Sequence, residues 1–310
     1  PNTVVQGNLS RSVRDAARFY DVCAGVDPYD PTSLPSAGDW EANLGTHDLA
    51  GLRVAVVPNL GGVTLEDGVE QRIRDEAAAL IADNNMVQVN VDVRPPNLAA
   101  QWMMGNLSTL LVELGDMWPK CAKDLTDEVA IGLYLSQSMY NLRTAAVAEQ
   151  MRVEANQAMA RAFEQVDLII AASNPGPAFA AEASMSSTEN NLIEKAKSST
   201  AAKGAFRAAL FGTRLASTFA PKLPSTLLDQ VSERFPEMVN MGALTIISNI
   251  YGNPAVSIPA GTVRGLPVGM QVLARHHEDP LLFDVALAVE RERPWPMVAP
   301  AVSDAAAVRS

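Results

Sequence analysis

A strand–helix–strand run in the first third of the chain sets the strongest limit on what it can build. Leu52-Arg53-Val54-Ala55-Val56-Val57 is a short apolar run, ended by Pro58 and the Gly61-Gly62 pair. Residues 65–82 read as a helix with acidic residues in its first turn, where carboxylates complement the positive end of the helix dipole. A second strand is expected over 87–93, alternating apolar and polar residues up to Pro95-Pro96. At this spacing the three form a βαβ unit with parallel strands and a right-handed crossover. The chain is therefore expected to be α/β.

The remaining segments extend that reading. Residues 10–25 place Val13, Ala16, Ala17, Tyr20 and Cys23 at three- and four-residue steps, with Arg11, Arg14 and Arg18 between them. This is an amphipathic helix, and Cys23 is assigned to its core face. A mostly helical stretch is expected over 98–164. A buried strand follows over 166–172, closed by Ser173-Asn174-Pro175-Gly176-Pro177. Residues 184–228, rich in Ser, Thr, Ala and Lys, lack a clean period and read as an insertion of helices and loops. Residues 238–249 read as a helix. Val256-Ser257-Ile258-Pro259 and 268–273 form a strand pair around the turn at Arg264-Gly265, a last helix spans 280–291, and 301–310 is a frayed tail.

Composition narrows the function classes. The 310 residues are 48% hydrophobic and 19% charged, enough to bury a sizeable core, and no apolar run is long enough to span a membrane. A formal charge of −11 argues against nucleic acid as a partner. Cys23 and Cys121 are far apart and form no metal-ligand spacing, so a disulfide framework is not expected. With no charged leader before an apolar segment, the expected location is cytoplasmic. Three histidines, His47, His276 and His277, are too few and too scattered for a zinc site.

No self-contained active site is legible. The G-x-S-x-G elbow, P-loop, G-x-G-x-x-G and H-E-x-x-H patterns do not occur. Gly61-Gly62 reads as a loop after a strand and His276-His277 as an exposed turn. Glu113 with Asp116, and Asp127 with Glu128, read as solvated helix faces. Ser184, Ser186 and Ser187, with Lys195 following, read as a polar loop and not as a serine–lysine catalytic set.

The order of several motifs nevertheless resembles one family. Gly7-Asn8-Leu9-Ser10-Arg11-Ser12-Val13-Arg14-Asp15-Ala16-Ala17, leading into Asp30-Pro31-Thr32-Ser33, is followed by Asp48-Leu49-Ala50-Gly51-Leu52-Arg53-Val54-Ala55. Asp167-Leu168-Ile169-Ile170 runs into Asn174-Pro175-Gly176-Pro177-Ala178. The most specific stretch runs from Asn249 through Gly252-Asn253-Pro254-Ala255-Val256-Ser257-Ile258-Pro259-Ala260-Gly261 to Gly265-Leu266-Pro267-Val268-Gly269-Met270-Gln271. In this order, over roughly residues 7–300, these segments resemble the carboxy-terminal portion of amidase-signature enzymes.

The resemblance implies a mixed, partly parallel sheet flanked by helices on both faces, with residues 1–310 forming the carboxy-terminal part of one amidase domain. It implies hydrolysis of a carboxylic amide C–N bond through a serine acyl-enzyme, with no cofactor. The family's lysine and its two serine-rich motifs precede the position matching Gly7, so no catalytic residue is assigned here, and the chain alone is expected to be inactive. Ser173, Asn174 and Pro175, with Thr245 and Asn249, are the candidate substrate-binding residues. Expected partners are a small-molecule amide and the missing amino-terminal half or a second copy. Three explanations stand: a fragment of an amidase, half of a split amidase or amidotransferase, or a non-catalytic interaction module.

Overall fold

The computed structural model describes residues 4–36, 38–179, 199–223, 226 and 242–298. They fall into two compact parts, one drawn mainly from 5–93, 160–177 and 252 onward, the other from 94–159 and 178–251. The tail 301–310 and Ser184, Ser186, Ser187 and Lys195 lie outside the described residues.

The first part is built on five strands: β1 Arg53–Val56, β2 Val87–Gln88, β3 Leu168–Ala172, β4 Ala255–Val263 and β5 Leu266–Ala274. Their order is β2-β1-β3-β5-β4. β1 runs parallel to β2 and β3, whereas β5 is antiparallel to both β3 and β4. The α-helices among the described residues are α1 Val13–Cys23, α2 Val69–Asp83, α3 Ala99–Leu114, α4 Asp127–Met139, α5 Leu142–Phe163, α6 Thr200–Phe219, α7 Ile246–Tyr251 and α8 Asp279–Glu292. The result is a mixed sheet flanked by helices, as expected. α2 packs on β1, β3, β4 and β5, and α8 on β4 and β5.

Local chemistry sets the element ends. Ser12 caps α1 by accepting from the Asp15 N–H at 3.1 Å. Arg264 and Gly265 both have positive φ, 53° and 78°, the two-residue geometry that joins β4 to β5 with matching twist. The hairpin strands extend beyond the expected 256–259 and 268–273.

Several expectations are corrected. β2 has two residues and not seven, because β1 offers only a short edge: Val87 and Val89 donate to Leu52 O and Val54 O, both at 2.8 Å, and pairing then stops. Cys23 is exposed. The buried stripe of α1 runs through Val13 and Ala17, and Cys23 lies to one side of it in the last turn. The described part of 184–228, expected as helices and loops, does contain a helix, the 20-residue α6. Its packed face uses Thr213 and Ser217, bonded to Ser138 at 2.9 Å and Asn141 at 3.2 Å, so the apolar period is masked. Of the helix expected over 238–249, residues 238–241 lie outside the described residues, 243–245 form turns, and α7 begins at Ile246. Among the described residues no helix is long and apolar enough to cross a membrane.

Two contacts tie the segment after α1 to α8. Tyr20, Trp40 and Phe283 form an edge-to-face trio with centroids 5.2–5.7 Å apart. The buried Asp284 carboxylate accepts from Gly45 N–H at 2.5 Å and from His47 N–H at 2.9 Å, and meets His47 Nδ1 at 2.7 Å.

A third contact fixes the sheet. Asp167, just before β3, accepts from Arg53 N–H at 2.8 Å and from the Arg53 guanidinium at 3.0 and 3.1 Å, and pairs with Arg275 at 2.8 Å. Burial pushes the Asp167 carboxyl up, but the hydrogen bonds from Arg53 and Arg275 and the Arg275 charge outweigh it and bring the pKa to about 2. A depressed carboxyl contributes stability above its unfolded pKa of roughly 3.9 and loses it as pH falls through the folded value. Asp167→Asn is therefore expected to cost about 1 kcal/mol at neutral pH, after discounting for solvent-accessible arginines. Urea titrations should show the difference from wild type shrinking between about pH 4 and pH 2.

Candidate active site

β1 and β3 are parallel, so the loops that follow them leave from the same end of the sheet, the edge at which open α/β sheets ordinarily bind ligands. β3 is wholly buried along Leu168–Ala172, and the first residue past it is Ser173. The Ser173 N–H donates to Gly269 O at 2.8 Å, extending the β3–β5 ladder by one residue.

The same register sets the side chains. Residues opposite each other in an antiparallel pair share a face, and the face alternates along each strand. Ser257 lies opposite Gln271, and Gln271 opposite Ala171. Ser257, Gln271 and Ser173 therefore share one face. There the Ser173 and Ser257 hydroxyls meet at 2.5 Å, and Gln271 Nε2 donates to Ala172 O at 2.9 Å. Ser173 and Gln271 are buried, at 7% and 3% exposure, whereas Ser257 is exposed, so the cluster opens to solvent on its β4 side.

Gly269 makes this approach possible. A Cβ there would stand 2.7 Å from Ser173 Oγ and 3.0 Å from Ser257 Oγ. The loop past Ser173 is held from its other side. Glu66 N–H donates to Pro175 O at 2.9 Å, and the Glu66 carboxylate lies against Gly176, where a Cβ would displace it. The same carboxylate pairs with Arg264 at the hairpin turn. A hydroxyl pair beside a fixed amide offers donors and acceptors to a carbonyl or amide group but supplies no base.

Of the expected binding residues, Ser173 is buried at this cluster, Asn174 is exposed and Pro175 is buried. Thr245 and Asn249 belong to the other compact part. Thr245 is exposed in the turn before α7, with its hydroxyl donating to Gly242 O at 3.2 Å, and Asn249 is half-buried within the helix. Ser257, Gly269 and Gln271 all fall inside the quoted motifs, yet pattern alone marked them as structural, because their meeting depends on cross-strand register. Glu66 and Arg264 carried no signal of their own. His276 and His277 are exposed, as are Glu113 and Asp116. The side chains of Asp127 and Glu128 lie outside those described. No group of three or more His, Cys, Asp or Glu able to hold a metal occurs among the described residues.

The chain belongs to the Amidase family, whose model matches residues 2–214. A glutamyl-tRNA(Gln) amidotransferase subunit from Listeria monocytogenes is 25% identical over 312 aligned positions, covering 92% of this chain and 54% of the relative. The subunit of the same name from Salinispora arenicola is 26% identical with the same coverage. The chain thus spans about half the length of these curated relatives. Among solved structures, a bacterial aryl acylamidase of the amidase-signature family superimposes with a TM-score of 0.67 at 19% identity, covering 95% of this chain and 55% of that one. The glutamyl-tRNA(Gln) amidotransferase subunit from Thermotoga maritima gives 0.60 at 19% identity, covering 95% and 54%.

Gly269→Ala is expected to destabilise the chain by about 1–3 kcal/mol, because two hydroxyls crowd the new methyl group. Pairing it with Ser173→Gly should recover part of the lost melting temperature. Equal melting of Gly269→Ala and wild type would contradict this packing.

Proposed function

We propose that this chain is the carboxy-terminal portion of a serine-dependent amidase, supplying one wall of the amide site and not the nucleophile. In the acyl-transfer reaction that this reading implies, a serine outside these 310 residues attacks the amide carbonyl. A base takes its proton, the amine departs protonated, and water then hydrolyses the ester to the carboxylic acid. The observation that carries the reading is the family match over residues 2–214, together with the hydroxyl-lined opening at Ser173 and Ser257. Under it, the loop Ser173-Asn174-Pro175 borders the substrate, while Thr245 and Asn249, in the other compact part, are not assigned to this opening.

A second reading follows from the relatives' names: the chain serves as part of an amidotransferase, in which the ammonia released from an amide is passed to an acceptor in a complex. The two share the hydrolytic half-reaction and differ in whether a partner receives ammonia.

The purified 310-residue chain, assayed for ammonia release against a panel of simple aliphatic and aromatic amides, should not exceed a buffer blank. Release well above the blank would mean that the chain holds its own nucleophile and base, and the proposed division of labour would be wrong.

A further inference from the structure

The helix α6 carries a charge opposite to that of the chain. Thr200–Phe219 includes Lys203, Arg207 and Arg214 and no carboxylate, whereas the whole chain has a formal charge of −11. At 3.6 residues per turn the three cations fall within about 40° of one another around the helix axis. They are exposed, and among the described residues no carboxylate pairs with them. On one side they border the packed face of Phe206, Thr213 and Ser217. On the other, Phe211, Leu215 and Phe219 follow at four-residue steps and are 68%, 53% and 77% exposed. The turn between α4 and α5 is bonded to the last turn of α6, Asn141 Nδ2 donating to Ser217 Oγ at 3.2 Å and Arg143 Nη1 to Thr218 O at 3.0 Å. That turn adds the exposed Tyr140 and Leu142 at the same end of the helix. The outcome is an exposed apolar face edged by cations.

We propose that α6 seats the chain on an anionic lipid surface, lying in the plane of the interface with Phe211, Leu215 and Phe219 among the acyl chains and Lys203, Arg207 and Arg214 at the headgroups. Such seating needs no membrane-spanning helix. Its polarity selects the occupant. Between Ala201 and Phe219 the exposed arc otherwise holds Ala and Gly, and its one hydroxyl, Thr218, is turned back to Arg214 O at 3.0 Å. A folded protein partner would ordinarily be held by about one hydrogen bond per 100–200 Å2, and this arc offers no directional group beyond the cations. A second copy would bring the same cations against each other. The net negative charge of the chain does not oppose the contact, because charges more than roughly 8 Å from the surface are screened at physiological salt.

The test mixes the purified 310-residue chain with vesicles of phosphatidylglycerol and phosphatidylcholine, or of phosphatidylcholine alone, and measures co-sedimentation. Binding to the anionic vesicles should be at least about tenfold tighter and should weaken as salt is raised. Phe211→Ser with Leu215→Ser, and separately Arg207→Glu with Arg214→Glu, should each weaken it by at least about tenfold. All four side chains are exposed, so the melting temperature should not change. Leu215→Cys, labelled with an environment-sensitive dye in a background of Cys23→Ser and Cys121→Ser, should shift its emission to the blue on the anionic vesicles.

Absence of binding to either vesicle would overturn the proposal. So would equal binding to the two, or binding that survives both double variants, which would place the contact elsewhere on the chain. A dimeric mass that Phe211→Ser with Leu215→Ser converts to a monomer, without vesicle binding, would assign the face to a second copy. A monomer that ignores vesicles yet binds an added protein through Phe211 and Leu215 would assign it to a protein partner. Either of these last results would overturn the lipid reading, and none of the outcomes bears on the amide chemistry, which the ammonia assay tests separately.

Discussion

The sheet-bearing part depends on the fork at Asp167. One carboxylate receives Arg53 at the start of β1 and Arg275 just past the end of β5, and its own residue leads into β3. Three strands from distant parts of the sequence are thus brought to one register at one end. Because strand side chains alternate with a period of two, a one-residue slip would turn every side chain of a strand to the opposite face. The register therefore decides, just past the far end of β3, that Ser173 emerges beside Gly269 and on the same face as Ser257.

That dependence explains how the site is supported. The hydroxyl pair is fixed from below by the β3–β5 ladder and from the side by Glu66, which reaches Pro175 through its backbone and Arg264 through its carboxylate. Glycines stand where these elements come closest: Gly269 under the two hydroxyls and Gly176 against Glu66. The polar opening sits on a rigid, wholly apolar strand, which is the kind of support that a binding geometry needs.

Much of the architecture was legible in the sequence. The apolar runs at Val54–Val57 and Leu168–Ala172, the acidic start before α2 and the turn at Arg264-Gly265 each carry local chemistry strong enough to specify an element. Failures came where tertiary partners overrode the pattern. Val89 to Val93 alternates like a strand but finds no further edge on β1. The helix within 184–228 was expected, but its packed face lacks an apolar period, because hydrogen bonds at Thr213 and Ser217 replace apolar contact there. Cys23, in the last turn of α1, lies to one side of the buried stripe through Val13 and Ala17. The candidate site was half legible: Ser173 followed from the end of a buried strand, whereas Ser257, Gly269 and Gln271 join it only through a pairing that no local pattern encodes. The resemblance to amidases rested on motif order over nearly the whole chain, whereas the family model matches residues 2–214 and not the stretch from Asn249 to Gln271.

The most direct test of the register is a cross-link between the two hydroxyl positions. In a background carrying Cys23→Ser and Cys121→Ser, the pair Ser173→Cys with Ser257→Cys should close a disulfide under mild oxidation, because the two side chains meet tip to tip with their hydroxyls 2.5 Å apart. The control pair Ser173→Cys with Val256→Cys should stay reduced, since Val256 faces the other side of the sheet. Efficient closure of the first pair alone is the result this account predicts. Closure of the control pair, or of neither, would contradict the register and with it the placement of the candidate site.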